Sequence, residues 1–153
     1  TGGAAVSLVL GYKGTALNSG IRLQPGAAGY IILGYDGGGG PEFAISADGG
    51  VGNGVSIAGV EDDVLHQIVG TWQRNTTNGF KVYIDGVLSA QKDAANVALP
   101  THLDTTPAAI GAYLGGGAPA ELITGAVTHA AVFETVLTAG NVASLYAWSL
   151  TLP

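Results

Sequence analysis

Residues 66–88, with the sequence HQIVGTWQRNTTNGFKVYIDGVL, constrain the fold of this chain more than any other stretch. Two runs in which apolar and polar residues alternate flank a polar loop at residues 74–79, and such alternation is typical of β-strands. Asp85-Gly86 follows the second run, and both residue types tolerate the positive φ angles of a tight type I′ hairpin turn. We therefore predict that this segment forms the centre of an antiparallel sheet.

Short β-prone runs separated by turn residues occupy most of the remaining chain. The other predicted strands are residues 6–13, 21–24, 30–35, 42–46, 55–58, 87–91, 108–113, 126–133 and 148–152. Glycine-rich loops are predicted at residues 36–41, 47–54 and 114–119. Thr138 is placed to cap a short helix at residues 139–147. The pattern predicts an all-β fold, an antiparallel two-sheet sandwich with one short C-terminal helix, in a single domain of residues 1–153.

The charge of the chain limits its partners. The net charge is −6, and the five basic residues are scattered along the chain: Lys13, Arg22, Arg74, Lys81 and Lys92. Binding to a phosphate backbone depends on clustered cations, so we expect neither nucleic acid nor an anionic membrane surface as a partner. No apolar run approaches the roughly 18 residues of a membrane span. The absence of Cys excludes a disulfide framework and a thiolate metal site.

The charged fraction is unusually low. Charged residues make up 10% of the chain, against about 25% in an average soluble domain, and a soluble monomer usually keeps more charge on its surface. Two interpretations are open. Either the surface consists of neutral Gly, Ala, Thr, Ser and Asn residues, or much of it is buried in an assembly.

Two segments carry a resemblance to a known family. The first combines HQIVGTW with the hairpin sequence YIDG at residues 83–86, and the second is GAVTHAAVFETVLTAGNVASLY at residues 125–146. Both resemble segments that occur in the same order in laminin-G-like, concanavalin A-like jelly rolls. Thr128 stands where that family usually has an acidic residue, and Glu134-Thr135 replaces its Asn-Arg pair. The resemblance implies that the sandwich is a jelly roll.

The resemblance also implies a missing strand. Family members usually begin with a strand before the one predicted at residues 6–13, whereas only residues 1–5 precede it here. Proteins normally cover an open sheet edge, because it promotes aggregation. We therefore expect that residues 148–152 close the sheet, or that a neighbouring chain supplies a strand at this edge.

Catalysis is not predicted. Glycoside hydrolysis uses two carboxyl groups about 5–5.5 Å apart for retention and about 6.5–9.5 Å apart for inversion. The only acidic cluster, Glu61-Asp62-Asp63, alternates between faces and is typical of a solvated turn. None of the histidines lies in a nucleophile motif. We therefore expect that the protein is not an enzyme.

The sequence does not predict that the histidines act as catalytic residues or as metal ligands. His66 falls on the same strand face as Ile68 and Trp72, so we expect packing roles for these residues, and likewise for His129 within its strand. No two histidines have metal-ligand spacing, so no cofactor is predicted. Calcium stays open, because the resemblance implies a calcium site at the loop rim of many members. Loop carboxylates suited to it are Asp36, Asp48, Asp62, Asp63 and Asp104.

A ligand-binding set is predicted from the loops. It consists of Tyr35, Asp36, Asn75, Asn78 and Tyr113. Glycan recognition needs an aromatic face with amides and carboxylates nearby, and loops at the end of a sandwich are a usual place for binding. The alternative is that the tyrosines cover the sheet and the asparagines form turns.

Two classes of function follow from these observations, since a fold alone does not define one. We predict a non-catalytic structural module of an assembly, of the virion decoration, fibre or surface-layer type, located on a virion surface or outside the cell. Its partners would be other protein subunits in a homo-oligomer. The alternative, which the resemblance favours, is a glycan-binding recognition module of a secreted or surface protein. A glycoside hydrolase is a distant third.

Overall fold

Two antiparallel sheets build a sandwich in the computed structural model of this chain, which describes residues 5–23, 29–35, 41–46, 53–94, 108–115, 118–120 and 122–152. The strands are β1 (Ala5–Ala16), β2 (Ile21–Leu23), β3 (Tyr30–Tyr35), β4 (Pro41–Ser46), β5 (Asn53–Ser56), β6 (Leu65–Gln73), β7 (Phe80–Ile84), β8 (Val87–Lys92), β9 (Ala109–Ile110), β10 (Tyr113–Gly115), β11 (Ala118–Ala120) and β12 (Thr124–Phe133). The helix α1 (Ala139–Ser149) follows them.

The first sheet has the strand order β12-β1-β6-β7-β8, and the second has the order β5-β4-β3-β2-β9. The strands β10 and β11 form a separate hairpin. This confirms the predicted all-β sandwich with one C-terminal helix. The hairpin turn between β7 and β8 also has the predicted geometry, because Asp85 and Gly86 have φ angles of 53° and 81°.

The prediction of an open sheet edge at the first strand is wrong. β1 is paired on both sides, with β6 through Val6 and Trp72 and with β12 through Ser7 and Phe133. The chain therefore fills this position with its own late strand β12. The edges of this sheet are β12 and β8 instead.

Three further sequence predictions need correction. Residues 148–152 do not form a strand, because α1 continues to Ser149 and ends in a turn. The predicted strand at residues 108–113 is split into β9 and β10 at Gly111, which has a φ of 77°. The predicted loop at residues 114–119 contains most of the β10–β11 hairpin. Most of the loops predicted at residues 36–41 and 47–54 lies outside the described residues.

The core between the sheets is built around aromatic residues. Trp72 and Phe80 of the first sheet and Phe43 of the second are fully buried, and Phe43 meets Phe80 edge to face at 5.9 Å between ring centroids. Gly70 makes this packing possible, since a Cβ at that position would clash with the ring of Phe43. The packing role predicted for Trp72 is therefore confirmed.

A second, smaller core lies on the outer face of the first sheet, beneath α1. It joins the buried side chains of Val9, Val69, Tyr83, Leu137 and Val142. Both faces of the central strands are thus covered, which explains why β6 contains so few charged residues. Within the described ranges, no helix is both long and apolar enough to cross a membrane.

Candidate functional site

The structure brings two of the predicted ligand-binding residues to the same end of the sandwich, called the rim here. Tyr35 is the last residue of β3, opposite Pro41, and Tyr113 is the first residue of β10, opposite Ala120. Near this end, the side-chain amide of Asn18 donates a 2.7 Å hydrogen bond to the carbonyl oxygen of Leu122. Asp36 lies outside the described residues.

Asn75 and Asn78 lie at the opposite end of the sandwich, where Gln73 pairs with Ala5. Both have left-handed backbone conformations, with φ angles of 55° and 52°. The backbone N–H of Asn78 donates a 2.7 Å hydrogen bond to Oδ1 of Asp93. These residues therefore form the turns of the β6–β7 loop, and the structure does not bring them together with the tyrosines.

His66 lies at the rim rather than in the apolar core. Its Nδ1 is 2.7 Å from Oδ2 of Asp85, its Nε2 is 3.2 Å from Oδ1 of Asp62, and its side chain is 13% exposed. Burial lowers the pKa of His66, but hydrogen bonds and charge from Asp85 and Asp62 outweigh burial and leave the pKa raised. The protonated form suits this position, because only the imidazolium can donate from both ring nitrogens.

The acidic turn at residues 61–63 has structural partners. Oε1 of Glu61 accepts a 2.7 Å hydrogen bond from the backbone N–H of Leu17. The pKa of Asp62 is lowered, first by the backbone N–H of Val64 and then by its hydrogen bond to His66. All three acidic residues are exposed. The predicted solvated turn is confirmed.

No group of three His, Cys, Asp or Glu side chains among the described residues is arranged to hold a metal ion. This includes His66, Asp62 and Asp85, in which both imidazole nitrogens already face carboxylates. Three of the aspartates considered for calcium, Asp36, Asp48 and Asp104, lie outside the described residues.

A groove runs between α1 and β12 on the outer face of the first sheet. It has a volume of about 330 Å³ and is lined by Phe133, Leu137, Asn141, Ser144 and Leu145. Asn141, Ser144 and Trp148 follow helical i, i+3 and i+7 spacing, so they lie on one side of α1. At 1.5 Å per residue this side extends for roughly 10 Å. We use the name α1–β12 groove for this groove together with the neighbouring ring pair of His129 and Trp148.

Trp148 and His129 form a ring pair beside the groove, on the same side of the first sheet. Their rings meet edge to face with centroids 5.9 Å apart, and the indole remains 52% exposed. Gly11 leaves room for this arrangement, since a Cβ there would clash with the imidazole of His129 and the hydroxyl of Thr128. The β-strand glycine therefore allows an imidazole to lie across the sheet next to an exposed indole.

The surroundings of His129 favour the neutral form of its imidazole. Nε2 of Gln67 lies 3.4 Å from Nε2 of His129, and Oγ1 of Thr128 lies 3.1 Å from Nδ1 of His129. An amide nitrogen is only a donor, so Nε2 of His129 accepts and its Nδ1–H donates to Thr128. Burial lowers the pKa of His129, in agreement with this assignment. Oε1 of Gln67 is buried without a hydrogen-bond partner among the described residues.

The sequence analysis missed this groove because it ended the helix too early. A strand at residues 148–152 would have separated Trp148 from Asn141 and Ser144. The signal was present in the sequence, since no Gly or Pro interrupts residues 141–152 and nothing there stops a helix. The proximity of His129 to α1 has no comparable local signal.

The sheet topology, the C-terminal helix and the loops at the rim define a jelly-roll domain of the concanavalin A-like class. The model of the family described as the concanavalin A-like lectin/glucanases superfamily matches residues 9–143. The chain belongs to this superfamily, as the resemblance implied. Among curated proteins, none matches the chain.

Solved structures with the same fold include a domain of an arabinan-degrading enzyme. Domain 4 of AbnA, a GH43 extracellular arabinanase from Geobacillus stearothermophilus in complex with arabinotriose, has a TM-score of 0.68 and 15% identity, and the match covers 95% of this chain and 68% of that one. The CBM40 of the Ruminococcus gnavus IT-sialidase bound to α2,3-sialyllactose has a TM-score of 0.66 and 18% identity, with 94% and 83% covered.

A third similar structure is the native heptameric SAP-like pentraxin from Limulus polyphemus. Its TM-score is 0.65 at 13% identity, and the match covers 94% of this chain and 70% of that one. At such low identities these three likenesses show the shared fold alone.

Proposed function

We propose that this domain is a non-catalytic carbohydrate-binding module that acts outside the cell and binds a neutral oligosaccharide in the α1–β12 groove. The half-exposed indole of Trp148, held against the neutral imidazole of His129, carries the proposal. An amphipathic ring with one exposed surface suits the apolar face of a sugar. Asn141 and Ser144 line the groove and offer an amide and a hydroxyl to sugar hydroxyls, and Thr128 adds a hydroxyl beside His129.

The similar structures support carbohydrate binding rather than a virion role. Two of them contain arabinotriose or sialyllactose, and one belongs to an extracellular enzyme. Nothing in these likenesses supports the capsid-decoration interpretation. They favour the alternative from the sequence, a glycan-binding recognition module of a secreted or surface protein.

A non-catalytic role is supported by the groove itself. Its lining residues include no carboxylate, whereas glycoside hydrolysis uses a pair of them. Two acidic residues of the described part of the rim have structural partners, since Glu61 accepts from the backbone of Leu17 and Asp62 contacts His66.

The charges around the groove favour a neutral sugar. All five basic residues lie in the described ranges, and none of them lines the groove. The surroundings of His129, beside the groove, favour its neutral form. The carboxylate of an acidic sugar would lose hydration there without gaining a cation, and the protein's net charge of −6 would repel it.

Glycan-array binding followed by calorimetry tests the proposal. We expect Trp148→Ala to weaken binding of the best neutral oligosaccharide by about tenfold or more, which corresponds to ~1.4 kcal/mol. Leu150→Ala is the matched control, because Leu150 is a similarly exposed apolar residue just after α1 that is not part of the His129–Trp148 ring pair. It should bind with unchanged affinity.

Variants at the rim separate the two candidate locations. Tyr35→Ala and Tyr113→Ala should leave affinity unchanged if the groove is the site, whereas a loss in these variants alone would move the site to the rim. Hydrolysis of the bound glycan would disprove the non-catalytic role. If no glycan binds to the folded wild-type domain at any concentration tested, carbohydrate binding itself is disproved.

A further inference from the structure

Within the part of the chain that the structure describes, one side of the sandwich leaves its core partly uncovered. On this side β12 ends the first sheet and β9 ends the second. An apolar cleft of about 150 Å³ opens between the two sheet edges, and Ile21, Leu23, Ile110, Ala130 and Val132 contribute to its walls. Val132 and Ile110 flank the cleft and remain 48% and 55% exposed. Apolar side chains that would be covered in a closed sandwich are therefore in contact with solvent.

β12 is also the least protected edge strand among the described residues. It has ten residues, compared with six in β8, four in β5 and two in β9. Proteins usually protect an edge with charged residues or proline. β8 contains Lys92, whereas β12 contains neither a charged residue nor proline. The register shift of β12 near Thr128 leaves regular pairing with β1 from His129 to Phe133.

The distribution of charge favours a second copy of the chain as the partner on this side. Residues 105–133 contain a single charged residue, Glu121, although the chain has a net charge of −6. Two copies of an acidic protein repel each other over most of their surfaces. A contact centred on β12 and β9 avoids this repulsion, because neither strand carries charge. An antiparallel pairing of β12 with itself brings no like charges opposite each other.

We propose that this side is the interface of a homodimer, in which β12 of one copy pairs antiparallel with β12 of its partner about a two-fold axis. Such an interface uses the same patch on both copies. It joins two five-stranded sheets into one continuous sheet, and it brings Val132 and Ile110 of each copy towards the cleft and the partner. The α1–β12 groove lies on the outer face of the same sheet, so both grooves of the dimer stay accessible.

Sedimentation equilibrium of the 153-residue chain over a dilution series tests the interface. We expect the wild-type mass to rise from one chain to two with concentration, as mass action requires. Val132→Lys should remain monomeric at concentrations where the wild type is dimeric, because it places two like charges in the interface. Val87→Lys is the matched control on the opposite edge strand, where Val87 is 69% exposed, and it should dimerise normally.

Two further measurements complete the test. Ile110→Lys should reproduce the effect of Val132→Lys from the other sheet, and circular dichroism should show that each variant is folded. A wild-type chain that is monomeric at every concentration overturns the proposal, as does equal dimerisation of the Val132→Lys and Val87→Lys variants. Sugar affinity of the Val132→Lys monomer should be unchanged, so failure of the interface and failure of glycan binding are distinguishable.

Discussion

His66 and Asp85 lie 2.7 Å apart, with Nδ1 of the imidazole donating to Oδ2 of the carboxylate. The other oxygen of Asp85 accepts a 2.9 Å hydrogen bond from the backbone N–H of Gln67. One carboxylate in the β7–β8 turn therefore fixes both the side chain of His66 and the backbone of the next residue. Gln67 in turn contacts His129, so this turn is connected to the α1–β12 groove.

The contact between His66 and Asp85 predicts a pH dependence of stability. The pKa of His66 is raised in the folded protein, so its stabilisation is complete below the unfolded pKa of about 6.5 and is lost as pH rises through the folded pKa. We expect His66→Gln to lower the free energy of unfolding by about 1.5 kcal/mol at acidic pH, the lower end for a hydrogen bond to a charged group. Asp85 is 30% exposed, which favours that lower value.

Urea unfolding between about pH 5.5 and 8.5 measures this effect above the usual titration range of carboxyl groups. The difference between wild type and His66→Gln should shrink as pH rises. The contribution of His129 to the free energy of unfolding should change with pH in the opposite direction, because its pKa is lowered in the folded protein. A His129→Gln variant is therefore the appropriate control. A difference that grows with pH would contradict the assignment of His66.

The position of Gly11 predicts an effect on sugar binding that can be measured separately from any effect on folding. Its alanine variant keeps the β1 backbone but places a Cβ where the imidazole of His129 and the hydroxyl of Thr128 now lie. The imidazole must move, so we expect Gly11→Ala to weaken sugar binding severalfold. Calorimetric titration measures the loss, and the far-ultraviolet circular dichroism spectrum should not change. Wild-type affinity in a folded Gly11→Ala variant would show that His129 does not position Trp148.

Gly70 predicts an effect on the core rather than on binding. A Cβ at Gly70 clashes with the ring of Phe43 from the opposite sheet, and overpacking of this kind typically costs about 1–3 kcal/mol. We expect Gly70→Ala to lower the free energy of unfolding by this amount in urea titrations. In the double variant Gly70→Ala/Phe43→Leu the penalty of the added methyl group should be smaller, because a ring no longer occupies that space. Additive losses would exclude the clash as the cause.

The capping contacts of Thr138 predict an effect on the stability of α1. Its side chain accepts from the backbone N–H of Asn141 at 3.2 Å, and Oδ1 of Asn141 accepts from the N–H of Thr138 at 3.1 Å. Loss of such a cap usually costs about 1 kcal/mol. Thr138→Ala should therefore lower the unfolding free energy and raise hydrogen exchange in the first turn of α1. Thr138→Ser should retain the cap, and unchanged exchange in the alanine variant would argue against the capping role.

The sequence predicted correctly those strands, turns and helix ends that depend on residues close to each other along the chain. The β-prone run YIILGY at residues 30–35 predicted β3 with its observed bounds, and Asp85-Gly86 predicted the turn with positive φ at both positions. Thr138 marked the start of α1 correctly. The end of α1 was wrong by two residues, which was enough to hide the position of Trp148. Tyr35 and Tyr113 stay predictions as ligand contacts.

The sequence by itself determined most of the strands, the central hairpin and the helix cap, because alternation and turn chemistry act between residues that are close along the chain. Membership of the jelly-roll class followed from the resemblance of two segments, residues 66–86 and 125–146, to that family. Only the tertiary structure decided that β12 lies beside β1, that His129 meets Trp148 and that His66 binds two carboxylates. Long-range contacts in this fold join residues up to 130 positions apart, such as Ser7 and Leu137. They depend on which strands share an edge and which face α1 covers, and the packing of the whole chain decides both.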